Sequence, residues 1–434
     1  MYRIRCAVSS FALLCALGAA ADELRDAVDR AAQATMPRVI EWRRDIHAHP
    51  ELGNREQRTA GIVAKQLRKL GLRVRTGVAH TGVVAVLRGS ADRPVVALRA
   101  DMDALPVTEE TGLPFASRVR TTYQGREVGV MHACGHDAHT AILLGVAQAL
   151  ASVRDRLPGT VLFLFQPAEE GPPPGERGGA ELMLEEGALR DPKPDVIYGL
   201  HVMSFLKFGE IGVVPGAAMA SSDRLTIRVN GRGTHAAFPW QGIDPIPLAA
   251  QIVLALEALP ARQVDVRVPS IVSFGAIHGG VRYNVIPDQV ELQGTIRALG
   301  QEVREQLHER VRRTARAIAE GAGATAEVTI DDGNPITWND PELARRIRPT
   351  LERVAGAEHV IEPLPWTAAE DFARYQQQVP GVFLFLGIDP PGVDPKDAAP
   401  NHSPRFFVDE DALGIGVRAL AQLAVDTLSA PPAR

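Results

Sequence analysis

Residues that can bind a transition metal recur in four short segments of this chain. They are Cys134, His136, Glu169, Glu170, His201 and His402. A thiolate, imidazoles and carboxylates together form a donor set that suits a divalent transition metal ion. In the adjacent pair Glu169 and Glu170, one carboxylate can bind metal while its neighbour acts as a base. The set therefore indicates a metal-dependent hydrolase.

Each of these residues also has a simpler explanation when it is taken alone. A pair of glutamates is usually a solvated surface, and His201 could be a hydrogen-bonded core histidine. Cys134 could be a buried structural cysteine, or a thiol nucleophile with His136 as its base. The spacing of these two residues in a tight loop is unfavourable for thiol–imidazole contact, and no oxyanion-binding motif accompanies them.

The elements that carry these residues have the pattern of an α/β protein. Short apolar runs predict buried strands at Val83–Leu87, Pro94–Arg99, Thr160–Gln166, Asp195–Leu200 and Gly381–Gly387. Helical stretches separate several of these strands, which favours an α/β sandwich. Polar candidates follow three of the strands: Asp101 and Asp103 follow the second, Glu169 and Glu170 the third, and His201 the fourth. His402 comes some way after the last strand. Because sites in open α/β sheets lie beyond the carboxyl ends of the strands, we expect the ligands to meet at one edge.

Helical spacing of apolar residues predicts helices at residues 37–49, 55–70 and 140–151. For the second of these, Asn54 is the expected N-cap and Gly71 the expected residue after the C-cap.

Residues 216–330 follow a different pattern. The order of predicted elements is β-α-β-β-α-β, which is that of a ferredoxin-like domain. We therefore expect an α/β sandwich catalytic domain, in two parts at 22–215 and 331–434, with an inserted α+β lid domain at 216–330. The loop at 171–179, which is rich in Gly and Pro, is expected to border the glutamate pair.

The N-terminus has the features of a secretory signal peptide. Arg3 and Arg5 precede an apolar run from about Cys6 to Ala20, and small residues at 19–21 fit a cleavage site before Asp22. The run is shorter than the roughly 20 apolar residues that a membrane-spanning helix needs. Residues 1–21 are therefore expected to be removed on export to the periplasm or outside the cell.

Cysteine usage is consistent with export. Of the three cysteines, Cys6 and Cys15 would leave with the signal peptide, so the mature chain would keep Cys134 alone. An unpaired thiol in an oxidising compartment favours burial or metal binding. The net charge of −5 gives no reason to expect nucleic acid or a membrane surface as a partner of the mature protein.

Seven motifs then resemble the zinc-type aminoacylase and carboxypeptidase family, in that family's order along the chain. They are RADMDALP (99–106), MHACGHDAH (131–139), FQPAEEG (165–171), GLHV (199–202), GRGTHAAFP (231–239), NVIPD (284–288) and NHSP (401–404). The resemblance runs from about residue 35 to the C-terminus. It is closest to the amidohydrolases that are similar to hippurate hydrolase and the indole-acetyl-amino-acid hydrolases.

The resemblance implies a site with two divalent ions, zinc or manganese, with cobalt possible. Its ligands would be Cys134, His136, Glu170, His201 and His402, with Glu169 as general base and Asp103 orienting a metal-bound histidine. Much of the wider family has a His at the position of Asp101 and a bridging Asp at that of Cys134. This departure leaves open which ion each ligand binds. His132, His139 and Asp101 are left between structural support and support of the ligands.

For the lid, the resemblance implies a homodimer or higher homo-oligomer. His235 would reach the substrate carbonyl held by the neighbouring subunit, and Asn284 and Arg297 would hold the substrate's carboxylate.

The reaction implied is cleavage of N-acyl-L-amino acids to a carboxylic acid and a free amino acid, by attack of a metal-bound water with Glu169 as base. A metallo-dipeptidase or carboxypeptidase would use the same machinery and is the alternative. A binding protein that has lost catalysis is a third reading, which loss of a ligand or of Glu169 would have supported.

Overall fold

The computed structural model describes residues 4–430, with side chains from Ala21 onward. The predicted signal peptide therefore lies almost wholly outside the described side chains. The helices are α1 (Ile4–Ala48), α2 (Gln57–Lys69), α3 (His136–Ser152), α4 (Gly179–Glu185), α5 (Pro245–Glu257), α6 (Leu259–Arg262), α7 (Gln301–Gly321), α8 (Pro341–Ala355), α9 (Phe372–Gln376) and α10 (Asp411–Ser429). Within the described part of the chain, none of them combines the length and apolarity required to span a membrane.

The strands are mostly short and follow one another along the whole chain. They are β1 (Arg73–Val78), β2 (Gly82–Arg88), β3 (Val95–Asp101), β4 (Arg120–Tyr123), β5 (Arg126–Gly129), β6 (Thr160–Gln166), β7 (Val196–Met203), β8 (Ile211–Gly212), β9 (Gly216–Met219), β10 (Ser221–Asn230), β11 (Thr234–His235), β12 (Ser270–Gly279), β13 (Val285–Ile286), β14 (Gln289–Ala298), β15 (Thr325–Asp332), β16 (Thr337–Asn339), β17 (Val360–Ile361) and β18 (Gly381–Gly387).

The chain forms two compact units. The first contains residues 1–215, 339–363 and 375–434, and the second contains residues 216–338 and 364–374. The second unit therefore includes residues 331–338 and 364–374, which lie beyond the boundary expected at residue 330.

The first unit is built on one eight-stranded sheet in the order β1-β2-β6-β3-β7-β18-β8-β17. Its central strands β6, β3, β7 and β18 run parallel to one another, while β2 is antiparallel to β6. Every residue of these four strands is buried. Because both faces of these strands are buried, their sequences are continuously apolar and do not alternate with polar residues. The predicted α/β sandwich is confirmed.

Helix α1 is longer than its sequence pattern predicted, because the helix continues through Pro37 rather than beginning there. Buried residues at Leu24, Val28 and Ala32 extend the apolar face of Val39 and Trp42 towards the N-terminus. Packing of this face offsets the hydrogen bond that a proline removes from a helix interior.

Helix α2 ends as predicted and begins differently. Leu72 N–H bonds to Leu67 C=O and Gly71 N–H to Arg68 C=O, with Gly71 at φ 75°, which is the Schellman arrangement. Asn54, however, is not the N-cap: that position belongs to Glu56, and Asn54 lies two residues earlier with φ 61°. The Asn54 side chain instead donates to the carbonyl oxygen of Arg177.

The second unit has the predicted ferredoxin-like order. Its four-stranded antiparallel sheet is ordered β12-β14-β10-β15, and helices α5 and α7 follow the first and third of its strands in the sequence. A separate hydrophobic core joins the sheet to these helices, with Ile227, Leu292, Ile252 and Leu307 fully buried.

Candidate active site

The sheet register brings candidate residues to one edge of the first unit. Asp101, the last residue of β3, pairs with Gln166, the last residue of β6. On the other side of β3, Arg99 pairs with Gly199, which places His201 of β7 level with Asp101. These are the carboxyl ends of parallel strands, where sites in open α/β sheets form.

His136 is held in one orientation by Asp103. Its Nδ1 donates to the Asp103 backbone carbonyl at 2.8 Å and lies 3.2 Å from the Asp103 carboxylate. With the proton on Nδ1, the lone pair of Nε2 points the other way. Nε2 is fully buried and has no hydrogen-bond partner among the described residues. A buried nitrogen without a hydrogen-bond partner is energetically unfavourable. The burial and orientation of Nε2 are those expected of a metal ligand.

Gly135 sets the start of α3 and hence the separation of Cys134 from His136. It has φ 96°, and a Cβ at this position would lie 2.2 Å from Val202 Cγ2. Only glycine fits both the backbone and the space. Helix α3 then begins at His136, two residues after Cys134.

Two further side chains, those of His201 and His402, lie against Cys134 and Glu170. The Cys134 Sγ lies 3.3 Å from His201 Nε2 and 3.3 Å from His402 Nε2. His402 Nε2 is also 3.0 Å from Glu170 Oε1. His201 Nδ1 donates to Val202 C=O at 2.8 Å, which leaves its Nε2 lone pair facing the sulfur.

These separations fit ligands of a common metal ion. Bond lengths of about 2.3 Å to sulfur and about 2.0–2.1 Å to nitrogen or oxygen place two ligands about 2.9–3.5 Å apart for bond angles of 90–109°. The measured 3.0 and 3.3 Å fall in this range. Among the described residues, the groups Cys134–His136–His201, Cys134–Glu170–His402 and His136–Glu169–Glu170 each bring their ligand atoms within 4.8 Å of one another.

Asn401 ties together the loops that carry these ligands. Its amide nitrogen donates to the carbonyls of Cys134 at 3.2 Å and Val202 at 3.1 Å, and its oxygen accepts from Ser204. The next residue, His402, has φ 71° and donates its backbone N–H to Ala133 at 2.7 Å. The loop that delivers His402 is therefore fixed although it lies far from the other ligands in sequence.

His139 is excluded from the ligand set by its hydrogen bonds. Its Nδ1 lies 2.6 Å from Asp101 Oδ1, and its Nε2 accepts the backbone N–H of Val202 at 2.9 Å. With both nitrogens engaged, no lone pair is left for an ion. Asp101 also accepts a hydrogen bond from Arg99 at 2.6 Å. Arg99, Asp101 and His139 therefore form a buried hydrogen-bonded network next to the ligands.

The pKa values report a strongly negative site. Burial alone lowers the pKa of His136, but Asp101 and Asp103 outweigh it and raise that pKa to about 10. Burial, helped by the charges of Glu170 and Glu169, raises the pKa of the Cys134 thiol well above its usual range. The same carboxylates that retain a proton here would favour a divalent cation in its place.

Glu169 lies beside the ligands, since its Oε2 is 4.0 Å from His136 Nε2 and its side chain is 8% exposed. The preceding residue, Ala168, has a left-handed φ of 51°. This turn, at the end of β6, directs the two glutamates to the ligand cluster.

The predicted lid residues lie in the second unit. His235, in β11, is exposed and pairs with Val285, while the backbone carbonyl of Asn284 accepts the N–H of Ala236. Arg297 is half-buried near the far end of β14, eight residues from Gln289, or about 26 Å along the strand.

Sequence reasoning missed the role of Asn401 and left Asp101 and His139 open between structural support and support of the ligands. Asn401 lies in the motif NHSP directly before His402, whereas Asp101 and His139 lie in the motifs RADMDALP and MHACGHDAH. Its position as a polar residue directly before a ligand is the only signal that was available for Asn401.

Comparison with known proteins places these features in a family context. The sequence profile of peptidase family M20/M25/M40 matches residues 97–426. Thermostable carboxypeptidase 1 of Saccharolobus solfataricus is 43% identical over 391 residues, covering 89% of this chain and 94% of that protein. IAA-amino acid hydrolase ILR1-like 5 of Arabidopsis thaliana is 38% identical over 401 residues, covering 91% and 88%.

A solved structure is similar to this chain over nearly its whole length. The Bacillus subtilis YXEP protein, described as a dinuclear metal binding peptidase from the M20 family, superposes with a TM-score of 0.76 at 36% identity. The match covers 91% of this chain and 99% of that one.

Proposed function

This chain belongs to peptidase family M20/M25/M40, and from that membership we propose that it hydrolyses N-acyl-L-amino acids to a carboxylic acid and a free amino acid. It is an amidohydrolase that depends on divalent metal ions. The observation that supports the finer proposal is the position of Glu169, whose Oε2 lies 4.0 Å from His136 Nε2, directly beside the residues that could hold the ions.

The proposed mechanism divides the work between ions and side chains. Bound divalent ions would polarise the amide carbonyl and lower the pKa of a water molecule. Cys134, His136, Glu170, His201 and His402 would hold the ions.

Glu169 takes the proton of the attacking water and passes it to the leaving amine nitrogen, an acid–base contribution of about 10²–10⁴-fold. Asp103 keeps the His136 proton on Nδ1, so that Nε2 stays available as a ligand.

We propose zinc or manganese, with cobalt also accepted, as the ions. The Cys134 thiolate favours zinc, whereas carboxylates such as Glu170 also accept manganese and cobalt. Metal analysis of the protein purified without added metal, followed by activity after reconstitution with each ion, tests this assignment.

A second candidate, a metallo-dipeptidase or carboxypeptidase, is favoured by the similarity to thermostable carboxypeptidase 1. The two activities differ in whether the group that is cleaved from the amino acid carries a free α-amino group or an apolar acyl chain. The test is a panel of N-acetyl, N-benzoyl and long-chain N-acyl amino acids beside dipeptides, each with and without chelator. Higher kcat/KM on acyl amino acids supports the proposal, and higher kcat/KM on dipeptides replaces it with the second candidate.

For the assembly, we propose a homodimer in which His235 contacts the substrate carbonyl held by the neighbouring subunit. His235 is exposed, and the nearby Val281, Tyr283 and Val285 expose 105%, 92% and 53% of their surface. Exposed apolar residues at this density are typical of a surface that another chain covers.

Subunit mixing tests this arrangement. Glu169→Gln and His235→Ala should each be nearly inactive alone. Mixed after dissociation, they should regain about a quarter of wild-type activity, because half of randomly formed dimers are mixed and each holds one complete site. Failure to regain activity, with mixed dimers present, contradicts the contact in trans.

Export through a signal peptide at residues 1–21 is also proposed. Among the described side chains of α1 the first buried one is that of Leu24, so cleavage before Asp22 would remove none of the described core. The mass of protein recovered from the periplasm or medium of an expressing bacterium tests this: a chain that starts near Asp22 supports it, and an intact chain retained inside the cell contradicts it.

A further inference from the structure

Glu56 is a buried carboxyl group in the segment that joins α1 to α2. Its side chain accepts hydrogen bonds from three groups: the backbone N–H of Asn54 at 3.1 Å and of Ala168 at 2.9 Å on Oε1, and the Thr81 hydroxyl at 2.6 Å on Oε2. No ion pair reaches Glu56 from any residue that the structure describes. Burial, followed by the nearby charge of Asp103, raises its pKa to about 8.

A carboxyl group buried without a cation is unfavourable, so its hydrogen bonds must carry the compensation. One of these three hydrogen bonds comes from the backbone N–H of Ala168, a residue with an unusual backbone conformation. Ala168 has φ 51°, a left-handed conformation that is strained for a residue other than glycine. Glu56 therefore holds the amide of the strained residue that directly precedes Glu169.

The turn that presents the glutamates has a second anchor farther on. The backbone N–H of Glu170 donates to Asp103 Oδ2 at 3.0 Å. Asp103 thus fixes Glu170, while Glu56 fixes Ala168. Glu169 lies between the two anchors, so its direction depends on both of them.

The segment that carries Glu56 is packed tightly against the same loop. A Cβ at Gly53 would lie 2.8 Å from the Gly171 carbonyl oxygen and 3.1 Å from the Ala168 Cβ. Asn54, itself at φ 61°, donates to the Arg177 carbonyl at 3.0 Å. Residues 53–56 therefore contact both the start and the end of the loop at 168–178.

We propose that Glu56 is a positioning residue, which fixes the turn at Ala168 and so aims Glu169 at the substrate. The proposal rests on the proposed role of Glu169 as the general base. Because Asp103 still anchors Glu170, loss of Glu56 should release Glu169 more than the metal ligand. The expected effect is a fall in kcat of about 10–100-fold, with KM and bound metal within about threefold of wild type.

The experiment compares three metal-loaded variants with wild type on an N-acetyl amino acid. Glu56→Ala removes all three hydrogen bonds. Glu56→Gln is expected to restore kcat to within about threefold, since its amide oxygen can accept both backbone N–H groups while its NH₂ donates to Thr81. A matched control is Glu51→Ala: the Glu51 carboxylate accepts the N–H groups of Arg58 and Thr59 at the start of α2, and among the described residues it has no hydrogen bond or ion pair to the loop at 168–178.

A loss of kcat in Glu56→Ala alone, rescued in Glu56→Gln and absent from Glu51→Ala, supports the proposal. An unchanged kcat in Glu56→Ala, no rescue by Gln, or an equal loss in Glu51→Ala overturns it. If Glu56→Ala does not fold, Glu56→Asp takes its place. A side chain about 1.5 Å shorter cannot reach all three partners at once and should show the same loss of kcat.

Failure of the underlying function gives a different result. A wild-type protein that releases no amino acid, or a Glu169→Gln variant as active as wild type, overturns the role of Glu169 itself. The inference about Glu56 fails alone only when Glu169→Gln is inactive and Glu56→Ala is not.

Discussion

Asp103→Asn is expected to weaken metal binding through loss of one buried hydrogen bond. The carboxylate accepts from two donors, with His136 Nδ1 at 3.2 Å from Oδ1 and Glu170 N–H at 3.0 Å from Oδ2. Asparagine offers one oxygen and one NH₂, so one of these donors must face another donor.

The loss can be estimated from the contacts. A buried donor left without its acceptor costs about 1–3 kcal/mol, and about 1.4 kcal/mol corresponds to a tenfold change in an equilibrium constant. Metal affinity should therefore fall by about 5- to 150-fold. His136 keeps its bond to the Asp103 backbone carbonyl at 2.8 Å, which places the expected loss near tenfold.

Competition between the metal-free protein and a chromogenic chelator for Zn²⁺ measures this affinity. Asp223→Asn is the matched control: it is a buried carboxylate in the second unit, bonded to Arg304 and His308, and its loss should lower stability without changing metal affinity. Wild-type affinity in Asp103→Asn, or an equal loss in Asp223→Asn, would refute the reasoning.

Two further predictions concern stability. Gly135→Ala should lower the free energy of unfolding by about 1–3 kcal/mol and reduce the amount of bound metal, because φ at this position is 96° and the added Cβ would lie 2.2 Å from Val202 Cγ2. Denaturant unfolding measures this stability, and a wild-type value in the variant would contradict the prediction. Burial lowers the pKa of His47, but the carboxylates of Asp137 and Glu109 outweigh burial and leave that pKa raised. The stabilisation that protonated His47 contributes is therefore full below about pH 6.5 and is lost as pH rises through its folded-state pKa. The difference in the free energy of unfolding between wild type and His47→Gln should accordingly shrink from pH 6 to pH 9. A difference that is constant or grows over this range counts against it.

The sequence predicted the sheet because its central strands are continuous apolar runs. Strand ends then predicted where Glu169 and His201 would lie, since side chains that follow parallel strands share an edge of the sheet. The ferredoxin-like order of the second unit was readable for a similar reason: its strands alternate and its helices have a clear apolar face.

Other features depend on contacts between distant segments and had no local signal. The bond from Glu56 to Ala168 spans 112 residues, and the bond from His139 to Asp101 joins a helix to a strand end. Asn54 resembled a helix cap because Asn is common at both caps and left-handed positions, and the fold uses it for the latter. The continuation of α1 through Pro37 follows from packing, which outweighs local propensity.

Release of free amino acid from an N-acyl amino acid by Glu169→Gln, compared with wild type at equal metal content, tests the central claim most directly. We predict that wild type releases the amino acid in a chelator-sensitive reaction. The variant, with its metal retained, should be slower by about 10²–10⁴-fold. A variant that works at the wild-type rate, or a wild type that is unaffected by removal of its metal, would contradict the account.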